Sequence, residues 1–183
     1  MTGSTDARHA LRAATADDHA RVDQAFGAFD LTARDGYARF LRAQAEAFLP
    51  VEAAIDAAWP VAFVPDWPAR RRADALRDDL AALGIPLVAS APPPLFRDRE
   101  EILGAIYVLE GSRLGGKMLA RSVPAVLPRS FLGAGDGAMW RNLIGILDKL
   151  LISEQQRVAA IAAARQVFAL FEAGARRHEG TPA

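Results

Sequence analysis

The chain has 183 residues, 51% of them hydrophobic, which is length and material for a sizeable core, and its 22 basic and 22 acidic side chains cancel. That balance offers no field to draw nucleic acid or an anionic membrane, and the absence of cysteine removes disulfides, thiolate metal sites, iron–sulfur clusters and cysteine nucleophiles. No apolar run approaches the ~20 residues of a membrane helix, and the polar start, Met1 to Ala10, has the character of neither a secretory signal nor a transit peptide. The expectation is therefore a cytoplasmic protein of one domain over residues 1–183, with about 1–6 and 178–183 frayed.

Thirty-nine alanines are spread along the chain. Alanine is the strongest helix former, and β-branched residues seldom alternate with polar ones, so the fold class expected is all-α. The first helix is predicted over about Ala7 to Phe26, with Leu11, Thr15, His19, Val22 and Phe26 recurring at steps of three and four. A second begins near Thr32, where Asp35 three residues on suggests a capping box, and carries Tyr37, Leu41, Phe48, Val51 and Ile55 inward up to Trp59-Pro60. Prolines make Trp59 to Pro68 a loop. A shorter helix, Ala69 to Leu83, is closed by Gly84, and four prolines keep Ile85 to Pro94 extended or turning. Then come a helix from Phe96 to about Val123, a Pro/Gly-rich crossing from Pro124 to Gly137, a helix from Ala138 to Leu151, and a last one from about Ser153 to Arg176. In the last, Val158, Ile161, Phe168 and Phe171 are expected to face inward.

His19 stands within an apolar helical face, so its imidazole is expected to point into the core. A lone histidine so placed is more commonly a neutral, hydrogen-bonded core residue; it also suits a metal ligand or a general base. With three histidines and no cysteine there is little material for a multi-histidine metal site. One histidine is enough for an iron whose other ligands come from a porphyrin.

The segment Glu101 to Arg121 holds four glycines, Gly104, Gly111, Gly115 and Gly116, in what otherwise reads as a buried helix. At about 1 kcal/mol each relative to alanine, something must offset roughly 4 kcal/mol. Gly104, Gly111 and Gly115 share a face without side chains. Close packing of two helices would account for it, as Gly111 and Gly115 alone satisfy the small-xxx-small spacing. A flat ligand lying on a softened helix would also account for it, and Gly115-Gly116 supplies the softening. The glycines and lysine of Gly111-Ser-Arg-Leu-Gly-Gly-Lys117 match a phosphate-binding loop, but Met118 stands where Ser or Thr should meet Mg²⁺ and no βαβ pattern hosts it. Arg12, two helical turns before His19, and Arg141, between Trp140 and Asn142, would suit the carboxylates of a dianionic ligand.

Taken together these residues resemble the heme oxygenase family, and more closely its bacterial, phytochrome-associated branch. Leu11 to Asp23 is similar to the family's proximal helix, with His19 at the place of the heme-iron ligand; Tyr107-Val-Leu-Glu-Gly111-Ser-Arg-Leu-Gly115-Gly116 is similar to its distal helix. Weaker similarity runs through Leu31 to Tyr37 and on to Arg141 and Phe168. The resemblance implies an all-α fold with heme between those helices, and oxidative opening of heme to biliverdin, CO and ferrous iron with O₂ and electrons from a ferredoxin or reductase. A bacteriophytochrome is the implied acceptor of biliverdin. It implies catalytic roles for Gly111, Ser112, Gly115 and Gly116, and heme binding by Arg12, His19, Tyr107, Arg141 and Phe168. Ser112 stands where mammalian-type members carry an aspartate, and Ala16 where some relatives carry a propionate-binding lysine. A non-enzymatic heme carrier or sensor on the same fold is the second expectation, and a helical partner-binding domain the third.

Overall fold

The computed structural model describes residues 6–87, 92–133 and 137–179. Among them there is no strand, and the all-α expectation holds. The helices are α1 (Ala7–Ala14), α2 (Ala16–Phe26), α3 (Arg34–Ala57), α4 (Trp67–Arg70), α5 (Ala73–Ala82), α6 (Arg99–Leu119), α7 (Ser130–Gly133), α8 (Gly137–Leu150) and α9 (Glu154–His178). Parts of the extended 85–94 stretch, of the 124–137 crossing and of both ends lie outside the described residues.

Three long helices make the frame. α3 buries Tyr37, Phe40, Leu41, Phe48, Val51 and Ile55, α6 buries Leu103, Ile106 and Leu109, and α9 buries Val167, Phe168 and Phe171. α9 packs along α2, α3 and α6 at once. Contrary to the sequence expectation, one helix, α9, is by length and composition apolar enough to cross a membrane; here its Ala160, Ala163, Ala164 and Val167 are core residues. Two glycines permit close approaches between the long helices. A Cβ on Gly104 would stand 2.0 Å from the Ala160 carbonyl oxygen, and one on Gly174 would stand 2.9 Å from that of Ala43. α6 and α3 therefore each touch α9 backbone to backbone.

Carboxylates distant in sequence cap several helix starts, where backbone N–H groups lack intrahelical partners. Asp148 accepts from Ala7 N at 3.0 Å, Glu52 from Arg72 and Ala73 N at 2.8 Å each, and Asp79 from Ser130 and Phe131 N at 3.1 and 2.9 Å. Burial pushes the Glu52 carboxyl up, and the two N–H bonds oppose it. Local side chains also cap three helices: Asp6 for α1, Asp98 for α6, and a full capping box of Ser153 with Gln156 for α9.

Several sequence expectations need correction. The first helix is two, broken at Thr15, whose hydroxyl donates back to the Leu11 carbonyl at 2.8 Å. α3 starts at Arg34 without a side-chain cap; Thr32 instead donates its hydroxyl and N–H to Asp30. The predicted Ala69–Leu83 helix is α4 and α5, parted where Glu52 takes the amides of Arg72 and Ala73. Gly84 closes α5 as expected, at φ 72°, with Ile85 N bonding back to the Leu80 carbonyl at 2.9 Å. Val158 is exposed rather than inward.

Candidate functional site

Between α2 and α6 lies a cavity of ≈ 410 Å³, within the range of small-molecule sites. α2 lines one wall with His19, Val22, Asp23 and Phe26; α6 lines the other with Tyr107, Gly111, Ser112, Gly115 and Gly116. Phe40 of α3 and Phe168 and Phe171 of α9 close the back, and Arg8 and Arg12 stand on successive turns of α1 at one end.

His19 is not packed in the core. Its side chain is 61% exposed because the space its helical face meets is this cavity. Nδ1 lies 2.9 Å from Oδ2 of Asp23 on the next turn. An ionised carboxylate can only accept, so the neutral ring carries its proton on Nδ1 and offers Nε2 as a lone pair. The Phe168 ring meets the imidazole edge-on, with centroids 5.8 Å apart. A carboxylate behind a ligating imidazole fixes its tautomer and raises its basicity.

The glycine strip of α6 divides in two. Gly104 serves helix packing against α9. A Cβ at Gly115 would meet nothing within 4 Å, and one at Gly111 only the Trp140 ring at 4.0 Å. A Cβ at Gly116 would stand 3.4 Å from Leu132. Gly111 and Gly115 thus leave an opening on the cavity side that side chains would fill.

Behind that wall lies a buried polar cluster. Arg70, with no exposed side-chain surface, donates to Glu110 at 2.8 Å, to both oxygens of Asp66 at 2.9 and 2.8 Å, and to the Met139 carbonyl at 2.9 Å. Arg113 binds the other Glu110 oxygen and the Arg70 carbonyl. Arg72 sits between the rings of Phe48 and Phe131, 4.7 and 4.9 Å from their centroids. Its Nη2 donates to the Leu109 carbonyl at 2.6 Å and to Ser112 Oγ at 2.8 Å. Burial, and then the like charge of Arg113, pushes the Arg72 guanidinium down to about 9, so it is still a cation at neutral pH. Buried, partnered charges of this kind specify one arrangement of the elements that carry them, and here they hold α4, α6 and α8 together beside the glycine wall.

Of the residues singled out from sequence, Arg12, His19, Tyr107, Gly111, Ser112, Gly115, Gly116 and Phe168 line the one cavity. Arg141 is exposed on α8 and is not among the lining residues. Sequence reasoning missed Arg8, Gln44 and Trp140 in the lining and the whole Arg70–Arg72–Glu110–Arg113 cluster. Glu110 and Arg113 continue the apolar face of Leu103, Ile106 and Leu109, a spacing that already demands buried partners for both charges. The described residues hold no group of three or more side chains able to bind a metal ion. A metal at His19 must bring its other ligands with it. One imidazole lone pair, an aromatic back wall, a side-chain-free opposite wall and two arginines at one end fit a flat metal macrocycle with an anionic edge.

This is an all-α protein with a single-histidine cleft between two helices. No family model matches the chain. A heme oxygenase of Xanthomonas campestris pv. campestris is 39% identical over 121 residues, 62% of this chain and 73% of the relative. The heme oxygenase PigA of Pseudomonas aeruginosa is 30% identical over 148 residues, 75% of each. A crystal structure of the NO- and CO-bound heme oxygenase from Neisseria meningitidis matches with a TM-score of 0.83 at 24% identity, over 98% of this chain and 94% of that one, and shares the fold. With that identity and coverage to curated relatives, the chain belongs to the heme oxygenase family.

Proposed function

We propose that the α2–α6 cleft is where this chain holds heme and degrades it. The protein is an oxidoreductase that converts heme to biliverdin, CO and ferrous iron with O₂ and reducing equivalents. When bound, heme supplies both the iron that reacts with O₂ and the porphyrin edge that is opened. The observation that carries the site is the facing of His19 and the empty Cβ space of Gly115 across one cavity.

In this reading His19 Nε2 would hold the heme iron, as a neutral nitrogen donor. Asp23 keeps the ring proton on Nδ1. Gly111, Gly115 and Gly116 form the opposite wall, and Ser112 adds a hydroxyl oxygen there. Tyr107, its phenol pushed up by burial, and the phenylalanines exclude water, and Phe168 braces the imidazole. Arg8 and Arg12 serve the propionates as cations at the cleft end; Arg141 is assigned to them on the resemblance alone. A ferredoxin or reductase is the proposed electron donor, a bacteriophytochrome the proposed acceptor of biliverdin, and the cytoplasm the proposed location.

The test is optical. Apoprotein takes up stoichiometric hemin with a sharp Soret band, and a reductant in air replaces that band with the broad absorption of biliverdin. His19→Ala weakens the Soret band and halts the conversion. A Soret band that survives reductant and air would instead make the protein a heme carrier or sensor, and no band at all would remove heme from the cleft.

A further inference from the structure

The helix bearing His19 is parted from its predecessor by a break that a side chain of α9 contacts. α1 ends at Ala14, α2 begins at Ala16, and Thr15 between them sits at φ −111°, ψ 11°. A carbonyl at a helix end needs a donor from elsewhere. Ala14 finds one 151 positions away, where Arg165 of α9 donates from Nε at 3.2 Å and Nη2 at 2.7 Å. The same Nε is 3.5 Å from the Asp18 carboxylate. Asp18 accepts from Arg21 at 2.5 Å, and Arg21 Nε donates back to Glu172 of α9 at 3.2 Å.

Arg165, Phe168 and Glu172 follow steps of three and four, so they form one stripe on α9. Opposite them stand Ala14, Asp18, His19 and Arg21. The outer pairs tie α2 to α9 on either side of the Phe168–His19 ring contact. Asp18 and Glu172 are mostly sheltered, at 15% and 17% exposure, while the arginines are about half exposed. A single pair of this kind adds little stability. Its geometric effect is larger: Asp23 fixes the ring about its own bond to α2, but only the seating of α2 on α9 fixes where that ring enters the cleft.

We propose that Arg165 is a positioning residue for the axial imidazole. By holding the Ala14 carbonyl and Asp18 together, it sets the break at Thr15 and with it the direction in which His19 Nε2 meets its ligand. The inference rests on His19 being the axial ligand, as read above. It predicts that loosening Arg165 spreads the imidazole over several orientations without emptying the cleft.

The experiment compares wild type, Arg165→Ala, Arg165→Lys, Glu172→Gln and His19→Ala. Iron–histidine stretching bands are recorded by resonance Raman on the reduced, heme-loaded proteins, and amide hydrogen exchange on the apoproteins. Arg165→Ala is expected to bind hemin stoichiometrically, yet to shift or split the iron–histidine band. Exchange at Thr15 to His19 should rise about three- to tenfold, the range that loss of one net hydrogen bond gives, with α6 unchanged. Lysine, with one donor head in place of the planar fork, falls between. If Arg165→Ala does not fold, Arg165→Lys and Glu172→Gln carry the same expectation. A wild-type band that His19→Ala abolishes and the Arg165 and Glu172 variants leave unchanged in position and width overturns this proposal alone. A wild-type spectrum without that band, matched by His19→Ala, overturns the axial-ligand reading instead, and the proposal with it.

Discussion

The Ser112 hydroxyl accepts a hydrogen bond from Arg72 Nη2 at 2.8 Å and gives its own proton to the Leu109 carbonyl at 2.7 Å. One lone pair remains, so toward the cleft this serine is an acceptor only. It can hold a water by that water's hydrogen, in the place where mammalian-type members of the family have a carboxylate.

Ser112→Ala removes that acceptor while Arg72 keeps the Leu109 carbonyl. Unfolding free energy should fall by about 1 kcal/mol, the net value of one hydrogen bond. Hemin affinity should stay within a factor of two or so, and single-turnover ring opening should slow roughly a hundredfold, the lower end for losing one positioned group. Ser112→Asp, paired with Arg72, should keep the wild-type rate. Stopped-flow absorbance on the reduced, heme-loaded variants reads the rate, hemin titration of the apoproteins the affinity, and their urea unfolding the stability.

Two glycines of the same helix, α6, should respond in opposite ways. Alanine at Gly104 would put a methyl 2.0 Å from the Ala160 carbonyl oxygen, so α6 must leave α9. Overpacking of this kind costs typically 1–3 kcal/mol or more, and here every atom met is Ala160 backbone. Alanine at Gly115 meets nothing, and helix propensity favours it by up to about 1 kcal/mol. Gly104→Ala should therefore destabilise the apoprotein, while Gly115→Ala leaves it as stable or more so and loses hemin affinity. Denaturation and hemin titration, run on both, separate a packing glycine from a ligand-facing one.

The sequence made the helices and the two walls legible because alanine content and apolar spacing are local properties. What it hid depends on partners far along the chain. The break at Thr15 interrupts a periodicity that runs on undisturbed from Leu11 to Phe26, and its brace, Arg165, is 151 positions away. α4 and α5 part because Glu52 of α3 takes the Arg72 amide. Nothing in the local sequence marks Arg70 and Arg72 as buried; Glu110, Ser112 and the Leu109 carbonyl are brought to them by folding. His19 was placed on the right face, but a face says nothing of whether the space it meets is filled; here it opens on the cleft.

Asp23 should prove separable from His19. Its carboxylate contacts Nδ1 and stands on the far side of the ring from Nε2. Loss of such a partner typically costs 10–100-fold in metal-ligand affinity. Asp23→Ala should still give a Soret band on hemin addition, with affinity lowered by about tenfold and an iron–histidine stretch at lower frequency, as a less basic imidazole requires. His19→Ala should lose that stretch entirely. Equal spectra for the two variants would refute the role of Asp23 as the partner of Nδ1.

Acid should loosen the polar cluster from the Asp66 side. Burial pushes the Asp66 carboxyl up, but hydrogen bonds from Arg70 and Asn142 together outweigh it and hold it below the usual carboxylate range. A carboxyl whose folded value is depressed contributes stability that is present above its unfolded value, about 3.9, and lost as pH falls through the folded one. The apoprotein's urea midpoint should accordingly fall as pH drops below about 4, with other depressed carboxylates such as Glu100 adding to the slope. Asp66→Asn keeps the shape, removes the charge, and leaves Arg70 with Glu110 as its remaining carboxylate. Its midpoint should be lower than wild type at pH 7 and should decline less steeply between pH 5 and 3. Parallel declines for the two proteins would place the acid sensitivity elsewhere in the cluster.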